Sequence, residues 1–186
     1  RISRPHPDFR GIAGTVAAGS IARGEEIVVA GSGTSARVAT ILGPDGELAQ
    51  ACAGDAVTLT LDREIDVGRG DLVAPARARP TVADQFAAHL VWTSDEPLLP
   101  GRTYLMRIGA RWIPATVTTI KHKLNVETLE HLAARDLHLN EIAFCNLSTS
   151  APIAFDAYAD NRETGAFILV DRFTNATAAR SEEPTS

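Results

Sequence analysis

The sequence predicts an all-β chain organised as two consecutive small β-barrels, and three observations carry that reading. Short runs of Val, Ile, Leu, Ala and Thr recur along most of the chain, several with apolar residues at every second position, the period of a half-buried strand. Glycine, often beside Pro, Asp or Ser, punctuates these runs where turns are needed. A connector bounded by two prolines, Pro75-Ala76-Arg77-Ala78-Arg79-Pro80, interrupts the pattern near the middle, and prolines so placed do not sit in a central strand. The reading is therefore a barrel over 1–79, a second over 80–179, and a disordered tail over 180–186. Charge divides at the same place, with nine basic against ten acidic residues before it and nine against thirteen after it.

In the first barrel, Gly11-Ile12-Ala13-Gly14-Thr15-Val16 leads to Gly19, and Ile21 and Gly24 introduce Glu26-Ile27-Val28-Val29-Ala30. Gly31-Ser32-Gly33 makes a turn into Ala36-Arg37-Val38-Ala39-Thr40-Ile41, which alternates with period two. Pro44-Asp45-Gly46 turns the chain again into Glu47 to Ala53; Asp55 to Asp62 then puts Val57, Leu59 and Leu61 on one face, and Arg69-Gly70-Asp71-Leu72-Val73 closes the set. Close strand spacing without helix-period segments indicates a closed or nearly closed barrel. In the second barrel, strands are predicted over Phe86 to Thr93, Thr103 to Ile108, Trp112 to Ile120, Leu137 to Leu147, Ile153 to Ala159 and Ala166 to Asp171. Pro114 marks an edge or a bulge. Asn125 to Arg135 reads equally as a short helix capped by Asn125 or as a loop with a helical turn.

The 186 residues, 45% hydrophobic and 22% charged, can bury a core and exclude a disordered chain. A net charge of −5 argues against general polyanion binding. Cys52 and Cys145 lie in separate apolar segments and read as two buried, reduced thiols of a cytoplasmic protein. No run reaches the ~18 apolar residues that span a bilayer, so no membrane association is expected. Arg1-Ile2-Ser3-Arg4-Pro5 has neither a methionine nor the apolar stretch of a signal peptide and reads as the edge of something longer.

Lysine is more informative. Lys121 and Lys123 are the only two, against 16 arginines, and neither follows a glycine. A phosphate-binding P-loop needs Gly-Lys-Ser/Thr, so this chain has none, and it lacks an Asn-Lys-x-Asp guanine-reading motif too. Asp8-Phe9-Arg10-Gly11 fits the Asp-x-x-Gly pattern of GTPases, but without a P-loop it does not make a nucleotide site.

Gly14-Thr15-Val16, Gly19, Ile21, Gly24-Glu25-Glu26-Ile27, Gly33, Val38 and Ile41, followed by Ala53-Gly54-Asp55-Ala56-Val57 and Arg69-Gly70-Asp71-Leu72, resemble the second domain of translation-factor GTPases. The prefix Arg4-Pro5-His6-Pro7-Asp8-Phe9-Arg10-Gly11 narrows the resemblance. So do Pro100-Gly101-Arg102-Thr103-Tyr104, Leu137-His138-Leu139-Asn140-Glu141-Ile142 and Pro152-Ile153-Ala154-Phe155-Asp156-Ala157-Tyr158. Asn161-Arg162-Glu163-Thr164-Gly165-Ala166-Phe167-Ile168-Leu169-Val170-Asp171-Arg172 and Asn175-Ala176-Thr177 complete it. Together these resemble the GTPase (large) subunits of bacterial sulfate adenylyltransferases, from Arg4 to Thr177. Ala178-Ala179-Arg180-Ser181-Glu182 departs from that family's terminal strand.

The resemblance implies translation-factor domains 2 and 3 of a three-domain parent. GTP and Mg would belong to the absent first domain, and the parent would couple GTP hydrolysis to formation of adenylyl sulfate and pyrophosphate from ATP and sulfate. The implied partners are that GTPase domain, a small catalytic subunit and, in some members, a fused adenylyl-sulfate kinase. The fragment itself would be inactive alone, with no catalytic, cofactor-binding or metal-ligating residues and no nucleic acid partner. The alternative reading is an elongation-factor-like RNA or protein binding module unrelated to sulfate activation.

Candidate contact residues are few. Phe9 and Arg10 suit either docking against the absent domain or packing at the barrel rim. In Asn161-Arg162-Glu163-Thr164-Gly165, Arg162 supplies a fork of donors for a carboxylate or phosphate and Gly165 permits close approach; a hairpin turn with a solvated arginine is the other reading. Thr164 lies between them. His122, flanked by Lys121 and Lys123, reads as a phosphate-binding cluster or a solvated loop face. His131 and His138 are too far apart for one helical face, Asp95-Glu96 before Pro97 reads as a turn, and Trp92 and Trp112 read as core or interdomain packing.

Overall fold

A computed structural model describes residues 2–3, 11–125, 128 and 130–185, with the side chains of 2–3 and 182–185 outside the description. The chain divides into two compact units between Thr81 and Val82. Both are built almost wholly of antiparallel strands.

The first unit contains β1 (Ile2–Ser3), β2 (Gly11–Thr15), β3 (Ser20–Ala22), β4 (Glu26–Val29), β5 (Ser35–Gly43), β6 (Gly46–Leu48), β7 (Gln50–Cys52), β8 (Ala56–Leu61) and β9 (Val73–Pro75). Its sheet runs β1-β2-β8-β5-β4-β9, with β6 added to β5 and β3–β7 as a separate ribbon. Period two gives the inward face, but β5 shifts register between Val38 and Thr40. That bulge explains why Ala36 and Val38 are buried and the next buried residue is Ile41, three positions on. Gly33 adopts φ 71°, which glycine reaches without a Cβ clash, and its N–H closes the turn on Val29 O at 2.8 Å. Pro75 pairs with Ile27 in the edge strand β9, so the connector starts one residue later than its composition suggests.

The second unit contains β10 (Thr81–Trp92), β11 (Thr103–Ile108), β12 (Arg111–Leu124), β13 (His131–Leu132), β14 (Ile142–Phe155), the one-turn α1 (Arg162–Gly165), β15 (Phe167–Val170) and β16 (Thr177–Thr185). Its path runs β11-β15-β16-β10-β14-β12, and β12 pairs again with β11, closing a six-stranded barrel with β13 added on β12. Leu90, Trp92, Tyr104, Met106, Val117, Cys145, Leu147, Ile153 and Leu169 fill it as one cluster. Pro114 pairs with Leu105 one residue before β12 begins to pair with β14, so the ring replaces no rung on the β14 side.

Several sequence expectations are corrected. Within the tail expected to be disordered over 180–186, residues 180–185 belong to β16, inserted between β10 and β15, with Ala178, Ala179 and Ser181 buried. Its polar composition concealed a strand because ladder bonds use backbone groups. Where β16 parts from β15, the Ser181 hydroxyl takes over, accepting from Phe167 N at 2.8 Å and donating to Phe167 O at 3.2 Å. The two strands expected over 137–147 and 153–159 join as one, β14, which is shorter at both ends; Ser148 and Thr149 stay in the ladder opposite Thr116 and Ala115, and the Thr149 hydroxyl donates to Ala151 O at 2.9 Å. Cys52 is exposed rather than buried, since Ala51 takes the inward position of β7. Trp112 is 52% exposed, because Ile113, Ala115 and Val117 hold the inward parity of β12. No helix forms over 125–135 among the described residues. Val126, Glu127 and Leu129 lie outside them, and His131–Leu132 is a strand.

Candidate functional site

The Arg162 loop joins β14 to β15 and is built around Asp156. The Asp156 carboxylate accepts from Thr164 Oγ1 at 2.7 Å and lies 3.5 Å from Asn161 Nδ2, while Asn161 caps α1 by accepting from Glu163 N at 3.1 Å. Gly165 lies against backbone: a Cβ there would meet Asp156 O, Tyr158 Cα and Tyr158 N, each at 2.8 Å. Thr164 and Gly165 are buried and shape the loop, and Arg162 is exposed. The Arg162 guanidinium sits 5.4 Å from the Tyr158 ring centroid, a stacking that steadies it while leaving its N–H fork available. The structure thus brings Arg162, Thr164 and Gly165 together in one loop. Phe9 and Arg10 lie outside the described residues.

A second constellation was not legible as a site. Arg102 bridges Glu96 (2.8 Å) and Asp171 (2.5 Å). The other Asp171 oxygen accepts from Phe173 N at 2.8 Å and Thr174 N at 2.9 Å. Those backbone donors first, and then Arg102, hold the Asp171 carboxyl below its ordinary range. The bonds fix a tight turn that presents Phe173, 89% exposed, to solvent. Tyr104 is buried edge-to-face on Trp92, and its hydroxyl has no hydrogen-bond partner among the described residues; desolvation pushes its pKa up. The signal available in sequence was the strand-ending Val170-Asp171 and the turn Pro100-Gly101-Arg102, but nothing local pairs them. Asp95-Glu96, expected as a turn, forms a bend after β10, and Glu96 O also accepts from Trp92 Nε1 at 2.8 Å.

His122 is not on a loop but on β12, and Lys123 beside it is paired with Glu141 at 2.6 Å and Asp136 at 3.6 Å. Burial opposes ionisation of Glu141, but the bonds from Lys123 and His138 N outweigh it and lower the pKa. A phosphate would therefore compete with two carboxylates for Lys123. Among the described residues no group of three or more His, Cys, Asp or Glu is placed to hold a metal, and no helix is long and apolar enough to cross a membrane.

Comparison with known proteins places this geometry. The model of the GTP-eEF1A C-terminal domain-like family matches residues 85–181, the second barrel. The bifunctional enzyme NodQ of Azospirillum brasilense is 58% identical over 95% of this chain and 28% of its own length. Sulfate adenylyltransferase subunit 1 of Laribacter hongkongensis is 47% identical over all of this chain and 40% of its own. The chain thus spans well under half the length of these curated relatives. Among solved structures, Sup35 complexed with GDP superimposes with a TM-score of 0.85 over 98% of this chain and 45% of its own, at 21% identity, which identifies the fold of translation-factor domains 2 and 3. The chain belongs to the GTP-eEF1A C-terminal domain-like family and is a homologue, confined to the translation-factor-like domains, of NodQ-type bifunctional enzymes and sulfate adenylyltransferase subunit 1.

Proposed function

We propose that this chain is the non-catalytic β-barrel portion of the GTPase subunit of a cytoplasmic sulfate adenylyltransferase, which couples GTP hydrolysis to adenylyl sulfate synthesis through protein contacts. The observation that carries the reading is the 47% identity to subunit 1 over the entire chain. The 58% identity to a bifunctional relative supports a parent that also carries an adenylyl-sulfate kinase domain. GTP and Mg bind the parent's first domain, and the barrels pass its state to the small catalytic subunit. The Arg162 loop supplies one contact: Thr164 and Gly165 hold its shape, and the exposed guanidinium pairs with a carboxylate of the partner. Phe9 and Arg10 supply another, toward the GTPase domain.

The test uses the parent protein with its small subunit and compares wild type with Arg162→Glu. The variant should lose about tenfold in affinity for its partner, the scale of a close interfacial ion pair, and with it GTP-stimulated adenylyl sulfate formation, while melting unchanged. Unaltered binding and stimulation would remove Arg162 from the contact. Retention of RNA by a parent that has no affinity for the small subunit would overturn the whole reading in favour of an RNA-binding module.

A further inference from the structure

Four rings cross the outer face of the second barrel on four neighbouring strands. His89 of β10 lies 4.8 Å from Phe144 of β14, Phe144 lies 5.6 Å from His122 of β12, and His122 stacks on His131 of β13 at 3.8 Å and 14°. A bulge in β12 makes the row. Ile120 opposes Cys145 and His122 opposes Phe144, so Lys121 is the extra residue, and its ammonium lies 4.7 Å from the Phe144 ring centroid. The spacings fit a face where neutral rings pack well and protonated ones repel.

The last ring belongs to a short edge strand. β13 is two residues long and pairs with β12 only at Lys123↔Leu132 and Leu124↔His131, supplemented by Asn125 N donating to Glu130 O at 3.0 Å. Both of its residues are exposed, so no buried side chain anchors it. The His122–His131 stack ties one of its side chains to the barrel wall.

We infer that this stack is a proton-sensitive latch, holding β13 on β12 when the imidazoles are neutral and releasing it when they take up protons. Among the described residues, every element packed around His122 contributes a basic or an uncharged group: His89 from β10, Lys121 and Lys123 from β12, His131 from β13, and Phe144 from β14. Lys123 is answered by two acids, Glu141 and Asp136. Among the described residues no carboxylate pairs with His122, His131 or Lys121, and the Glu130 carboxylate beside His131 accepts from Thr128 Oγ1 instead. Burial first, then repulsion from His131, His89 and Lys121, holds the His122 pKa below the ordinary imidazole value. A histidine whose pKa is depressed on folding contributes stability that is complete above about pH 6.5 and falls away as pH drops below it. Release removes the cover from His122, while the chain beyond β13 stays anchored by the buried Leu137 and its bridge to Leu98.

The test is amide hydrogen exchange, read by NMR on the 186-residue chain between pH 5.5 and 7.5 and corrected for intrinsic rates. Protection of Lys123, Leu124, His131 and Leu132 should fall about fivefold at the lower pH, the factor supplied by one pair of unit charges about 4 Å apart in water. Leu147, in the core of β14, should not respond. His131→Phe, a change on an exposed strand, keeps a ring on His122 without a second proton and should flatten the dependence; His122→Phe should do the same. Protection that is independent of pH in the wild type, or a dependence that survives unchanged in His131→Phe, would overturn the latch.

Discussion

In the second unit the ladder returns to the strand it started from, whereas in the first it runs from β1 to β9 with no ladder between its end strands among the described residues. The cores follow. Twenty-two buried residues form one cluster inside the closed ring, including Trp92, Tyr104 and three phenylalanines, while the first unit divides its interior into clusters of seven and four aliphatic residues. A closed ring leaves a single interior that large side chains can share. The first unit adds side-chain bonds along its strands to these smaller clusters: the Arg63 guanidinium on Ser35 O, Arg37 N on Asp62, and Thr40 against Thr60 at 2.6 Å. The lesson is that one fold class reaches two different balances of packing and hydrogen bonding.

The largest test of this contrast is truncation in each core. Trp92→Ala should cost the second unit about 3–5 kcal/mol, and Ile27→Ala should cost the first about 2–5 kcal/mol. Each should lower one calorimetric transition; a common shift of both would dissolve the distinction. Ser181→Ala leaves Phe167 N–H without its buried acceptor and should destabilise the second unit by about 1–3 kcal/mol, measurable by urea unfolding. Gly165→Ala, which forces a methyl group onto three backbone atoms, should cost a comparable 1–3 kcal/mol or so and selectively disturb the Arg162 loop in NMR spectra.

Smaller effects sharpen the comparison by chemistry. Because folding depresses the Asp171 pKa, its contribution is present above about pH 4 and is lost as pH falls through the lower folded value. Acid titration should therefore weaken the wild-type second unit more than its Asp171→Asn variant. The thiols also differ: Cys52 is exposed in the first unit, while Cys145 sits in the ring with its pKa pushed by burial to about 12. A thiol reagent should label one cysteine per native chain and two after denaturation.

Much of this was legible. Period two in Ala36 to Ile41 and around Val57, Leu59 and Leu61 gave strands, glycine spacing gave turns, and the Arg162 motif pointed to a loop of defined shape. The loop's organiser, Asp156, was visible only as one more carboxylate. The rest failed for identifiable reasons. The gap between Leu147 and Ile153 closes because Ser148 and Thr149 stay in the ladder with β12, and β16 reads as tail because its hydrogen bonds belong to the backbone. Arg102 and Asp171, or His122 and His131, meet through strand neighbours far apart in sequence.

The sequence by itself determined an all-β chain in two modules, the lack of a P-loop lysine, and the family. Alternation, turn chemistry and motif order are local properties, so they survive without coordinates. Ring closure, the Asp171 turn, the conversion of the tail into a strand and the row of rings outside the barrel were decided only in three dimensions. Their physical reason is ladder register: each bulge resets which side chains share a face, and the partner strand is chosen by the closure of the whole sheet.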